Sequence, residues 1–218
     1  IKQNIEAAAL HNKAIKAVVA DQRFPWRAPF MEEKNGVFQV KGTPTVKIET
    51  TNCSISVRGW DKSEVSYSMS KVASNVSQKP ISVETSQKDS SNVEVKVSNP
   101  NSENGRFFGP DSIRVHLEVY VPKKSNLKIL TNDEIRLVNV SGDIDLKGGD
   151  ESINVRDSDG KLKLNFEDGT VRVIGFKGTL DAKLSDGTMF LEGEFDRINA
   201  NAEDGDIVLT IPQESNAD

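Results

Sequence analysis

Four aspartates, Asp150, Asp168, Asp186 and Asp204, recur at intervals of eighteen residues. If the segments that carry them stack in register, their carboxylates form a ladder with a step of about 4.8 Å, one strand separation. Oxygen donors stacked in this way are the chemistry of a calcium site, with ligands from successive turns enclosing each ion. A turn role competes with that reading. Asp168, Asp186 and Asp204 each precede a glycine, and aspartate in such a reversal hydrogen-bonds the nearby backbone. Carboxylates this far apart repel by only about 1 kcal/mol in water, so no cation is demanded. The calcium-roll nonamer, Gly-Gly-x-Gly-x-Asp-x-apolar-x, is also richer in glycine than these segments. The turn role is preferred, and no metal or cofactor is expected.

The other chemically capable residues are sparse. His11 and His116 are the two histidines and Cys53 the single cysteine, too few for a zinc site. Cys53 reads as a small core residue, and His116 falls on the outward side of an alternating strand. A Ser/His/Asp arrangement is compatible with the composition, but no nucleophile elbow is present. Trp26 and Trp60 are distant in sequence, and Trp60 sits in a Gly-Trp-Asp turn, which suits a packed corner better than a sugar platform. No catalytic residue is therefore assigned, and an enzyme is not expected. Asp145, Lys163 and Asp181 alternate in sign at eighteen-residue spacing, the pattern of a solvated charge ladder.

These residues are held by a repeat. Gly142-Asp-Ile-Asp-Leu146 is followed at nine-residue steps by Glu151–Val155, Gly160–Leu164, Gly169–Val173, Gly178–Ala182, Gly187–Leu191, Asp196–Ala200 and Gly205–Leu209. Each segment has apolar residues at i and i+2, one face of a strand. Alternate nonamers resemble each other more than neighbours do, which makes an eighteen-residue, two-strand unit. Stacked units give the columns Ile144-Leu162-Leu180-Ile198 and Leu146-Leu164-Ala182-Ala200, facing Ile135-Ile153-Val171-Met189-Ile207 and Leu137-Val155-Val173-Leu191-Leu209. A fixed period with a continuous apolar stripe predicts a stacked-repeat architecture. Outside that stripe, the column Arg136-Asn154-Arg172 continues to Phe190 and Val208. These two outward apolar residues make a candidate interaction patch.

Residues 2–20 form the one good helix candidate, with Ile5, Ala8, Ile15, Val18 and Val19 roughly on one face. The proline-stiffened aromatic stretch Phe24–Phe30 follows. Strand patterns then run at Val37–Val40, Thr45–Glu49, Ser54–Val57, Val65–Met69, Ile81–Val83, Val93–Val97 and Ile113–Val121, parted by polar loops over 70–79 and 98–110. This organisation divides the chain into an N-terminal segment, 1–36, and a single β domain, 37–212. The domain has an irregular, wider part (37–125) and a regular part (126–212), and 213–218 is a tail. The 218 residues carry a net charge of −5, and no basic stripe stands out along the chain, so nucleic acid is not an expected partner. The chain opens on Ile1, which leaves room for a removed signal peptide or a membrane anchor upstream.

The run Cys53-Ser-Ile-Ser-Val-Arg-Gly-Trp-Asp-Lys-Ser-Glu-Val65, the strand exit Val119-Tyr-Val-Pro-Lys-Lys-Ser125, and the Ser-Gly-Asp-Ile and Asp-Gly-Thr-Val steps resemble the bacterial "putative adhesin" family of unknown function. The resemblance covers roughly residues 44 to 212. It implies a β-helix fold and an exported or envelope-associated protein, with no known reaction and no catalytic residues.

Together these readings predict an all-β protein, a right-handed parallel β-solenoid of eighteen-residue rungs with an elaborated N-terminal β half and one short N-terminal helix. The expected function is a non-catalytic, periplasmic or cell-surface interaction or scaffold module of adhesin type. Its partner would be a protein or a surface polysaccharide, with self-association through Phe190 and Val208 as a further expectation. A carbohydrate-active β-helix enzyme and a calcium-binding β-roll are the alternatives.

Overall fold

A computed structural model describes residues 30–73, 79–101, 113–149 and 152–211. Twelve strands follow in order: β1 (Phe30–Gln39), β2 (Thr45–Thr51), β3 (Ser54–Trp60), β4 (Glu64–Ala73), β5 (Ser82–Asp89) and β6 (Asn92–Ser98), then β7 (Ile113–Pro122), β8 (Asn126–Leu130), β9 (Ile135–Val138), β10 (Ser141–Gly148), β11 (Ser152–Arg156) and β12 (Asp159–Thr210). They join in one sheet of order β1-β4-β7-β3-β9-β11-β12-β10-β8-β2-β6-β5. The long β12 turns from one wall to the other. Its residues 159–166 pair with β10 and its residues 170–174 pair with β11. Both walls therefore share a strand at that end.

The two free margins, β1 and β5, approach each other through side chains. Lys34 Nζ donates to the Ile81 carbonyl at 2.8 Å, and Gln87 Nε2 donates to the Gln39 carbonyl at 2.8 Å. The sheet is thus a nearly closed, mixed, twelve-stranded barrel. The expectation of a parallel β-solenoid with an N-terminal helix is overturned. Among the described residues there is no helix, and residues 2–20 and most of Phe24–Phe30 lie outside them. A parallel β-solenoid stacks its strands in parallel rungs. Instead, β4 lies antiparallel between β1 and β7. β5 returns antiparallel on β6 through the two-residue turn Ser90-Ser91, a connection too short for anything but a hairpin. Asp89 fixes that turn by accepting from the Ser91 N–H at 2.7 Å.

Within the second half the eighteen-residue offset is the pairing register. Ile144 lies beside Leu162 and Leu146 beside Leu164, while Ile153 lies between Ile135 and Val171. All of these side chains are buried. The same core continues into the first half through Val46, Ile48, Ile55, Val57, Val93 and Val95, so one apolar interior serves the whole barrel. The registering glycines have a steric reason beyond the turn. Gly160 has φ +110°, and a Cβ there would collide with the carbonyl oxygen of Gly142 in the next strand. The core thins along β12. Leu164 and Ala182 are buried, Ala200 and Ala202 only partly so, and Ile207 and Leu209 are exposed.

Candidate functional site

Strand alternation sends every second residue outward, so register decides which outward groups meet. On the wall β4-β7-β3-β9-β11 and the 170–174 part of β12, one outward row reads Ser68, Glu118, Ser56, Arg136, Asn154 and Arg172. The adjacent row reads Ser66, Tyr120, Arg58, Val138, Arg156 and Ile174. Arg58, Arg136, Arg156 and Arg172 are all exposed. They alternate between the rows from strand to strand, so no two face each other directly. Arg156 Nε donates to Asn154 Oδ1 at 2.9 Å, and the Arg172 guanidinium lies 5.0 Å from the Phe190 ring centre.

The opposite outer wall is wired differently. Lys47 pairs with Glu49 and Glu94, Lys96 with Glu49, Lys147 with Asp145 and Lys161 with Asp143. Lys163 is registered beside Asp145, and Asp181 accepts from Asn199 Nδ2 at 3.2 Å. Of the charge ladder read from Asp145, Lys163 and Asp181, the register puts Lys163 beside Asp145, while the Asp145 ion pair runs within its own strand to Lys147. Among the described residues, none of Arg58, Arg136, Arg156 and Arg172 forms an ion pair within 4 Å.

Above the arginines on the first wall, Ser54 Oγ and His116 Nδ1 are 2.9 Å apart. Burial pushes His116 below the usual imidazole range, Glu118 and Glu134 oppose that shift, and Arg136 adds to it. The pair has the composition of a nucleophile and base, but its chemistry is incomplete. Among the described residues no carboxylate hydrogen-bonds the ring to orient it, and Ser54 Oγ also lies 3.4 Å from the Val115 carbonyl. It works as a cross-strand contact. Cys53 is equally unsuited to attack. It is buried, and burial, reinforced by the Asp133 carboxylate, pushes its thiol up to about 12, so it stays protonated at neutral pH. Its backbone N–H donates to Asp133 Oδ2 at 2.6 Å, and Thr131 and Thr50 extend this corner.

Trp60 has the corner role expected of it. Its indole N–H donates to the Glu64 carbonyl at 2.8 Å, Tyr120 packs against it at 5.0 Å, and the Lys62 ammonium lies 4.3 Å from the ring centre. Lys71 is a buried lysine that sequence reading missed. Its ammonium sits 3.7 Å from Glu32 and 5.5 Å from the Phe30 ring centre, at the β1 margin. Its place follows from alternation in β4, where Met69, Lys71 and Ala73 all point inward.

Of the aspartate ladder, Asp168, Asp186 and Asp204 are exposed, and Asp150 lies outside the described residues. Among the described residues no group of three or more His, Cys, Asp or Glu side chains is gathered closely enough to hold a metal ion. Phe190 is 37 % exposed and Val208 47 % exposed, with Ile207 and Leu209 beside Val208 exposed as well. Two open clefts lie on the second wall. One of about 550 Å³ runs along Thr50, Thr131, Lys147 and Phe166, and one of about 390 Å³ along Lys128, Asp143, Asp145 and Lys163. Neither holds a histidine, a cysteine or an arginine. Among the described residues no helix is long and apolar enough to cross a membrane.

No protein-family model matches this chain, and no curated protein matches it in sequence. Likeness appears at the level of structure. The chain is similar to the crystal structure of a "putative cell adhesion protein" from Clostridium sporogenes ATCC 15579, with 13 % identity, a TM-score of 0.50, and coverage of 84 % of this chain and all of the other. A "putative adhesin" from Parabacteroides merdae ATCC 43184 aligns over 82 % of this chain and 96 % of its own, with 9 % identity and a TM-score of 0.22. At such identities the first likeness bears on the fold and the second carries no weight. The β-helix that the resemblance implied gives way to the barrel.

Proposed function

We propose that this protein is a non-catalytic interaction module of adhesin type, acting at the cell surface or in an exported compartment. The observation that carries this reading is the arginine-bearing outer wall, where exposed Arg58, Arg136, Arg156 and Arg172 have no acidic partner within 4 Å among the described residues. Such donors are suited to an external acceptor. The incomplete Ser54–His116 pair and the protonated Cys53 favour binding over turnover. The name given to the Clostridium sporogenes neighbour agrees with this reading. Phe190 and Val208 extend the same wall with apolar surface.

The test is adherence of beads coated with the full chain to bacterial envelope preparations and to immobilised surface glycans, neutral and acidic. Soluble products are assayed in the same wells. Retention above albumin-coated beads without released oligosaccharide is the expected result. Release of cleavage products, or no retention on any surface, would sink the proposal.

A further inference from the structure

The arginine wall has a geometry that narrows its ligand. Arg136 and Arg172 occupy one outward row two strands apart, separated by Asn154; Arg58 and Arg156 occupy the next row two strands apart, separated by Val138. Two strand steps are roughly 10 Å, and the rows are offset by about 7 Å along the strands. The cations thus form a staggered double line that runs across the strands, with successive members shifted by one strand. Staggering keeps like charges from facing each other directly, the arrangement that costs least.

Between the cations the wall is apolar or neutral. Val138 and Ile174 alternate with Arg58 and Arg156, and Phe190 lies beyond Arg172. Acids adjoin this block: Glu118 lies beside Ser56 on β7, diagonal to Arg58, and Glu134 precedes Arg136 by two residues. Glu118 is already engaged, accepting from the Tyr120 hydroxyl at 2.9 Å.

We propose that this wall binds a linear carboxylated polysaccharide, a polyuronate, laid across the strands. The inference rests on the adhesin reading above and names its ligand class. A guanidinium presents a planar fork that fits a carboxylate through two parallel hydrogen bonds. A chain of sugar rings supplies carboxylates at regular intervals, and its C–H faces fit the apolar ground between the arginines. A nucleic acid fits less well. The aromatic ring on this wall below the arginines, Phe190, already has a guanidinium over it.

The experiment uses the full chain and polygalacturonate immobilised on a sensor, with dextran as the neutral control and single-stranded DNA as the phosphate control. Wild type binds polygalacturonate in 50 mM salt, binds dextran and DNA at least about tenfold more weakly, and loses affinity as salt screens the contacts. The paired variants R136Q/R172Q and R58Q/R156Q each weaken binding by about tenfold or more, the scale expected for losing charge-assisted hydrogen bonds. R136K/R172K keeps the charge, loses the fork, and falls between wild type and the glutamine pair. K128Q/K163Q, on the opposite wall, binds like wild type. Circular dichroism and melting confirm that the exposed substitutions leave the fold intact.

No binding to polygalacturonate, equal binding to DNA, or glutamine pairs that bind like wild type would overturn the assignment. So would arginine-dependent dimerisation in sedimentation, which would make a second copy's exposed Asp168, Asp186 and Asp204 the occupant. If polyuronate fails while another envelope surface still retains the beads, only this inference falls and the adhesin reading stands.

Discussion

Gly160→Ala tests whether the barrel's second half is held by close backbone stacking or only by apolar burial. Gly160 faces Gly142 in register and has φ +110°, a conformation L residues rarely adopt. Alanine there carries a conformational cost of about 1–3 kcal/mol. Its Cβ would also press on the Gly142 carbonyl, which belongs to strand β10 and cannot rotate away as a side chain would. The strand must shift or the residue must abandon its conformation, so the total loss should exceed about 3 kcal/mol. Gly42→Ala is the matched control, because Gly42 has φ +65° with nothing within 4 Å of the added Cβ. It should lose only about 1–2 kcal/mol, the conformational part alone. Urea unfolding of both variants gives the comparison, provided the slope with denaturant is unchanged. If Gly160→Ala lost no more than Gly42→Ala, the close strand stacking would not be what selects glycine at this position.

Three further outcomes are expected. Leu164→Ala, which truncates a side chain 1 % exposed in the core, should cost about 2–5 kcal/mol in the same assay; unchanged stability would place Leu164 outside the core. Cys53, whose thiol is pushed up to about 12, should resist a disulfide reagent at pH 8 in the folded protein and react promptly in urea, read by released chromophore; prompt native labelling would contradict its burial. Burial raises the Asp133 carboxyl, with the hydrogen bond from the Cys53 N–H pulling the other way. Its folded pKa lies above its unfolded one, so the folded state holds the proton more firmly and stability falls as pH rises through that window. Asp133→Asn keeps an oxygen to accept from Cys53. It should therefore be no less stable than wild type at pH 7, and wild type should gain relative to it on acidification from about pH 6 to pH 3; the opposite trend in paired urea titrations would refute the burial argument.

Much of the strand pattern was legible because alternation is a local property. Ile113, Val115, Leu117, Val119 and Val121 alternate with polar residues, and β7 spans Ile113–Pro122 with those five buried. The eighteen-residue spacing likewise gave the pairing of Ile144 with Leu162 and of Ile153 with Val171. The architecture was not legible, because strand direction and sheet order are properties of distant partners. Nothing near Val65–Met69 says that β4 pairs antiparallel with both β1 and β7. Nor does the local sequence say that β1 and β5 meet through Lys34 and Gln87. Periodicity proves that segments are equivalent; it does not fix how the irregular half closes around them.

The candidate site divides along the same line. Arg136, Asn154, Arg172, Phe190 and Val208 share a column that eighteen-residue counting reveals, and Arg156 is outward because Val155 is inward. Arg58 is different: it joins them only because β3 lies beside β9, a pairing between residues about eighty positions apart, with Ser56 against Arg136 and Arg58 against Val138. Without that pairing the column shows two arginines ending in an apolar patch, which points to Phe190 as the contact. With it, the wall shows four staggered cations, and the apolar residues become the ground between them. The contrast with the opposite wall then acquires meaning. There, neighbours of opposite sign satisfy one another, as Lys47 does with Glu49 on its own strand and with Glu94 across to β6. Exposed pairs of that kind add little stability, about 0–1 kcal/mol each, and unpaired exposed arginines cost equally little in water. Folding energetics is thus nearly indifferent to which wall carries paired charges and which does not. The asymmetry between the walls calls for a reason outside the fold, and a ligand that supplies the missing carboxylates provides one.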